Sequence, residues 1–241
     1  MCTVSYLPLS AGGYIVTSNR DETPSRNAVG LRHLQADGQT IVFPVDPAAG
    51  GSWIAVSDQG RIACLLNGAY EPFRPDPKYT HSRGQVLLSA VSSVDPAFDD
   101  SVLALTAPFT LVLVEDMHLR EYVWDADSLH VRTLDPAIPA FWSSVTLYPE
   151  DVRKWRKSMF EHWLSTHAEY SQEDIIDFHR YGGQEDGWNG FVMNREERVR
   201  TLSITSAQRS QTHMSLCHDD LIAENTIREQ MEIIPQNVAT D

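Results

Sequence analysis

Cysteine is scarce in this chain. Three in 241 residues (Cys2, Cys64 and Cys217) form neither a disulfide framework nor a metal-type spacing. Such usage suits a reducing compartment, and a cytoplasmic location is the expectation. Basic charge is also short. Nineteen Lys and Arg stand against 33 Asp and Glu, a formal net charge of -14. That balance disfavours nucleic acid, which rewards basic patches, and anionic membrane surfaces. Long apolar runs are missing as well. No stretch approaches the ~20 residues that span a bilayer. No basic segment precedes the first apolar run, and Ser10 to Gly13 interrupt it, so no secretory signal is expected. Linkers, repeats and charge blocks are absent too. Residues 1–241 are expected to form a single domain with a peripheral tail after residue 230 or so.

Strand patterns dominate what is present. Residues 2–18 read as a hairpin turned at Ala11-Gly12-Gly13, with Asn19-Arg20-Asp21-Glu22 at its far end. Residues 24–50 read as irregular. Residues 52–56 and 61–66 form a second hairpin around Ser57-Asp58-Gln59-Gly60, and its second strand ends at Asn67-Gly68. Ser82 and Gln85 have the spacing of a capping box before a helix through Val91. Residues 109–114, 119–124 and 130–134 read as a meander, with 141–147 as a fourth strand. Val152, Trp155, Met159, Phe160 and Trp163 recur at helical spacing and read as a core-facing stripe. Ser171 and Asp174 start a further helix that ends at Gly182-Gly183. Residues 189–194 and 199–205 suggest a last hairpin, and the tail from Asp219 to Met231 suggests a helix. Strands come in hairpins and helices in separate groups. This argues for an α+β fold of antiparallel sheets with helices on outer faces.

Cys2 carries the most chemistry for its position. Methionine is readily cleaved before a small side chain, which would leave Cys2 with both a thiol and an α-amine. The amine titrates at about 7.7–8.0 and the thiol at roughly 8.5. Nucleophile and general base would then sit in one residue. Without that cleavage, Cys2 reads as a small apolar residue opening a strand. The nine histidines point to no metal. His162 and His167 are five apart, off a shared helix face, and the ligand types in Cys217-His218-Asp219-Asp220 are immediate neighbours. Neither metal nor cofactor is expected.

Several segments taken together resemble a known family. These are Met1-Cys2, Ser18-Asn19-Arg20-Asp21-Glu22, Gly51-Ser52-Trp53-Ile54, residues 60–67, Ser82-Arg83-Gly84-Gln85 and residues 108–114. In order and spacing they resemble the NRDE family, also called the transport and Golgi organisation 2 family. That family is similar in its first third to N-terminal-nucleophile hydrolases of the bile salt hydrolase and penicillin V acylase type. The resemblance implies a four-layer αββα sandwich. It also implies a linear-amide hydrolase that works through an acyl-enzyme on Cys2. Arg20 would lower the thiol pKa, Asp21 would hold the α-ammonium, and Asn67 would face the oxyanion. Asn19 and Trp53 would contact substrate.

Departures from the acylases accompany the likeness. Ser18 stands where they carry an arginine three residues before the aspartate, and Arg20 adjoins Asp21 instead. Adjacent strand residues point to opposite faces, so the two share a site only if the backbone turns there. Residues 141–144 lack the second asparagine, and the late arginine has no evident counterpart. The other reading is a non-catalytic binding or trafficking protein for a hydrophobic ligand such as haem or lipid. The expected partner is thus a small-molecule amide or a hydrophobic ligand, and a homo-oligomer is compatible with the sequence.

Overall fold

Alternating β-branched and aromatic residues build the first hairpin in the computed structural model, which describes residues 2–93 and 96–234. Strands β1 (Cys2–Pro8) and β2 (Tyr14–Glu22) pair from Cys2 opposite Arg20 to Pro8 opposite Tyr14. Gly13 turns the chain at φ +94, and a Cβ there would lie 2.0 Å from the Arg209 carbonyl oxygen. Only glycine meets both demands.

A second hairpin appears where irregular chain is expected. Strands β3 (Leu31–Ala36) and β4 (Gln39–Pro44) pair across Asp37-Gly38, both at positive φ. Asp-Gly is a strong hairpin turn. Hydrophobicity alone hides β3, because its middle residues are exposed on a sheet edge. Next come β5 (Ile54–Ser57), β6 (Ile62–Asn67), helix α1 (Arg83–Val91) and a short helix α2 (Asp100–Ala104). The expected meander follows as β7 (Phe109–Glu115), β8 (His118–Trp124) and β9 (Leu129–Leu134).

The second half departs further from expectation. Strand β10 (Ala140–Ser143) does not extend the meander. It crosses to the other sheet and pairs with β1. Helices α3 (Glu150–Thr166) and α4 (Gln172–Tyr181) follow as expected, and the stripe on α3 does face inward, with Phe160 and Arg156 most buried. Then come β11 (Asn194–Arg195), β12 (Val199–Arg209), β13 (His213–Asp220) and β14 (Asn225–Glu232). The tail expected to be helical is therefore strand as far as Glu232, and the last seven residues lie outside the described residues. Ile227, Glu229 and Met231 alternate with exposed neighbours, a period of two.

Among the described residues these strands form two seven-stranded antiparallel sheets. One runs β10-β1-β2-β12-β13-β14 with β11 on β12, and the other runs from β3 to β9 in chain order. Val4, Tyr6, Val16, Val56, Val112 and Leu216 meet between them. α1 and α2 cover the outer face of the second sheet through Leu87, Val91 and Leu103. α3 and α4 cover the first through Phe160, Ile175 and Phe178, against Leu7 and Ile15. The architecture is a four-layer αββα sandwich.

Candidate active site

The pleat of β2 divides its last residues between two environments. Tyr14 and Val16 belong to the inter-sheet core, whereas Ile15 packs under the helices. Arg20 continues the inner series, and Asn19 and Asp21 the outer one.

On the inner side, Arg20 is buried and stacks on Trp53, its guanidinium 4.1 Å from the ring centre. Its Nη2 lies 3.4 Å from Asp46, and its Nη1 donates to the Arg26 carbonyl. Arg26 in turn pairs with Glu22 and Asp46. Burial raises the Asp46 carboxyl, but the hydrogen bond and charge of Arg26 outweigh it and hold the group below its ordinary range. A cleft of 450 Å³ opens over this cluster, lined by Arg20, Trp53, Asn67, Ser82 and Arg83 among others. That size falls in the range of small-molecule sites, ~300–1,000 Å³.

Two glycines let the walls of the cleft meet. A Cβ on Gly84 would lie 2.7 Å from the Ser52 backbone, and one on Gly51 would lie 2.7 Å from the Gly84 carbonyl carbon. The start of α1 therefore rests directly on the chain leading into β5. Ser82 is the N-cap, yet its side chain makes no capping bond, so the expected capping box is not formed. Asn67 closes β6. Its carbonyl accepts from Ser144 Oγ at 2.7 Å and Thr146 Oγ1 at 3.3 Å. It also lines a second cavity of 370 Å³ on its other side.

The outer side is fully buried. Asn19 is fully buried, and its Nδ2 donates to the carbonyls of His179 and Phe191 at 3.0 and 2.9 Å. Its Oδ1 is left to accept from His179 Nδ1. His179 Nε2 must then accept from the Ser5 hydroxyl at 2.8 Å. Every polar atom of the Asn19 amide is engaged beneath α4. Asn19, expected to contact substrate, is held here by α4 and the Phe191 carbonyl. Burial, and secondarily the Arg156 charge, push His179 down to about 3.

Asp21 accepts from Tyr148 and Thr201, both at 2.7 Å. Burial raises its carboxyl, against the charge of Arg156 and those two bonds. Arg156 is itself fully buried, stacked 3.7 Å from the Tyr148 ring centre and bonded to Thr3 and the carbonyls of Asn189 and Gly190. The structure thus brings Arg20, Trp53 and Asn67 to one cleft and sets Asn19 and Asp21 on the opposite face. The backbone of Cys2 lies opposite Arg20. Removal of Met1 falls outside the described residues.

The sequence reading missed an inner polar row. Arg20, Ser203 and Asp220 are in register across β2, β12 and β13, with Ser18, Thr205 and His218 beside them. His218 Nδ1 bonds Thr205 Oγ1 at 2.8 Å, while its Nε2, Ser203 Oγ and Trp53 Nε1 have no partner among the described residues. Burial pushes His218 down to about 4, despite Asp220 and Asp219. The alternation Met214, Leu216, His218, Asp220 carries the signal once 213–220 is read as a strand. Among the described residues no group of three or more His, Cys, Asp or Glu could hold a metal ion.

Residues 1–180 match the family model for Transport and Golgi organisation 2. The chain belongs to that family. Among curated proteins no sequence match was found. In fold, this Transport and Golgi organisation 2 member is similar to a Caenorhabditis elegans ortholog of N-acylethanolamine-hydrolyzing acid amidase. The TM-score is 0.57 at 10% identity, over 85% of this chain and 92% of that one. It is also similar to a variant of the conjugated bile acid hydrolase of Clostridium perfringens, with a TM-score of 0.53 at 10% identity over 100% of both chains. At that identity the likeness is one of fold alone, the four-layer sandwich. No helix among the described residues is long and apolar enough to cross a membrane.

Proposed function

We propose that Cys2, once Met1 is removed, is the nucleophile of a hydrolase for non-peptide linear amides. The observation that carries this reading is the register. It pairs the Cys2 backbone with that of Arg20, and Arg20 and Asn67 both line the cleft, which supports a place for Cys2 beside it. The thiol sulfur attacks the amide carbonyl carbon, and the carbonyl π electrons move to oxygen. The α-amine takes the thiol proton. Asn67 donates to the oxyanion. The C–N bond then breaks, and the α-ammonium returns its proton to the leaving amine. Water adds to the thioester, the S–C bond breaks, and carboxylic acid and thiol are released. Arg20 favours the thiolate by its charge. Asp21 is the proposed anchor of the α-ammonium. Burial raises its carboxyl, and an α-ammonium beside it would add to the Arg156 charge in favouring the ionised form. Trp53 forms the floor under the substrate.

A screen of N-acyl amides, with intact mass recorded for enzyme and acyl-enzyme, tests this directly. The expected result is a protein lacking Met1 that gains the acyl mass, with turnover abolished in Cys2→Ala. Turnover that survives Cys2→Ala rejects the nucleophile. A retained Met1 in protein of full ligand affinity leaves the cleft a binding site without cleavage.

A further inference from the structure

The 370 Å³ cavity beyond Asn67 is ligand-sized and only partly explained by the chemistry above. It lies between the ends of β6, β8 and β9 and the start of α3. Leu66, Val123, Phe141 and Val145 make its walls apolar. Three cations also line it, Arg132, Arg153 and Lys157, against one carboxylate, Glu121. In a chain of net charge -14 that excess is local and unusual.

The partners of these groups single out one cation. Both oxygens of Glu121 are taken. Oε1 accepts from Trp142 Nε1 at 2.7 Å, and Oε2 lies 2.9 Å from Arg132. Lys157 is 3.6 Å from Glu161, one turn along α3. Arg153 feels the charge of Glu150, but that exposed carboxylate is bonded to Lys154 at 2.6 Å. The Nε of Arg153 is buried and has no hydrogen-bond partner among the described residues, and the same holds for Ser143 Oγ in the cavity wall. Among the described residues no carboxylate pairs with the Arg153 guanidinium, which lines the cavity, and a carboxylate is the group whose geometry matches it.

We infer that this cavity takes an apolar, aromatic-sized acyl group that itself carries a carboxylate, with Arg153 as its counter-ion. At about 30 Å³ per small group, 370 Å³ holds roughly a dozen non-hydrogen atoms, a substituted phenyl ring and its carboxylate rather than a long chain. Asn67 lines both cavities, so an amide carbonyl held there sends its acyl side to Arg153 and its amine side to the polar cleft. The word acyl rests on the proposed Cys2 chemistry; the carboxylate preference does not.

The test uses the N-methylamides of para-carboxyphenylacetic and para-methylphenylacetic acids. Binding to full-length Cys2→Ala is measured by calorimetry, and turnover with wild type. The carboxylated amide is expected to bind about tenfold more tightly or better, the scale of one charge-assisted hydrogen bond. Arg153→Gln in the same background should erase that preference and leave the methyl compound's affinity unchanged. Arg132→Gln should retain it, and thermal melts confirm folding. Arg153→Lys keeps the charge but not the planar fork, and should restore part of the preference. Equal affinity for the two amides, or a preference that survives Arg153→Gln, overturns the inference. Selective binding without wild-type cleavage would sink the hydrolase reading alone. Cleavage of both amides at equal efficiency, with Arg153→Gln without effect, would sink this inference alone.

Discussion

At the residue scale, three neighbours in one motif have three different surroundings. Asn19 is spent on holding α4 to the sheet, Arg20 stands in the cleft, and Asp21 is buried against Tyr148 and Thr201. Asn19→Ala would leave His179 Nδ1 and the His179 carbonyl without their partner in a buried layer, while the Phe191 carbonyl keeps Thr201 Oγ1. At ~1–3 kcal/mol per unsatisfied group, urea unfolding should show a loss of about 3 kcal/mol or more. A variant of normal stability that has lost activity would return Asn19 to a substrate role. Arg20→Gln leaves Arg26 on Asp46. Cys64 and Cys217 are buried, so fast alkylation of the native protein should report Cys2. That rate near neutral pH should fall several-fold in Arg20→Gln if the guanidinium lowers the thiol pKa, and an unchanged rate would remove Arg20 from the mechanism.

At the element scale, two serines that look alike in sequence behave differently. Ser171 forms a full capping box with Asp174 at the start of α4, whereas Ser82 makes no side-chain cap at α1. Ser171→Ala should cost ~1 kcal/mol and Ser82→Ala little; equal losses in chemical denaturation would contradict that difference. What fixes the start of α1 is instead the contact of Gly84 with Ser52. An added methyl there has backbone, not a flexible side chain, to displace. Gly84→Ala should destabilise by about 1–3 kcal/mol and distort the cleft wall, read as a raised KM along with a lower Tm.

At the scale of the whole molecule, two buried neutral histidines set an acid response. Burial lowers His179 to about 3 and His218 to about 4. The unfolded chain protonates them near 6.5, so on acidification it gains protons that the native state refuses. Their contribution is present above pH ~6.5 and is lost as pH falls toward the native values. Between pH 6.5 and 5, stability should fall by up to ~1.4 kcal/mol per pH unit for each histidine, on top of any other titration. His218→Gln should remove close to one proton's worth of that slope in denaturant unfolding at several pH values. A flat profile over this window would mean that these histidines are protonated in the native protein.

The features legible before folding are local and periodic. Gly12-Gly13 and Asn67-Gly68 marked turns. Alternation in 109–134 marked three strands, and spacing on α3 marked an inward face. The motif segments from Met1 to residue 114 pointed to the sandwich through resemblance, and the α+β class followed from the grouping of strands and helices. Tertiary structure decided the rest. A period of two says that β2 has two faces, but only α4 and the second sheet decide which of Asn19 and Arg20 meets a cleft. Edge strands β3 and β14 bury too little to announce themselves by hydrophobicity. That β10 joins β1 rather than β9 was not legible, because pairing between residues far apart in the chain leaves no local mark. The unpaired Nε of Arg153 is likewise a fact of packing: a guanidinium on a helix reads as solvated until the wall around it closes.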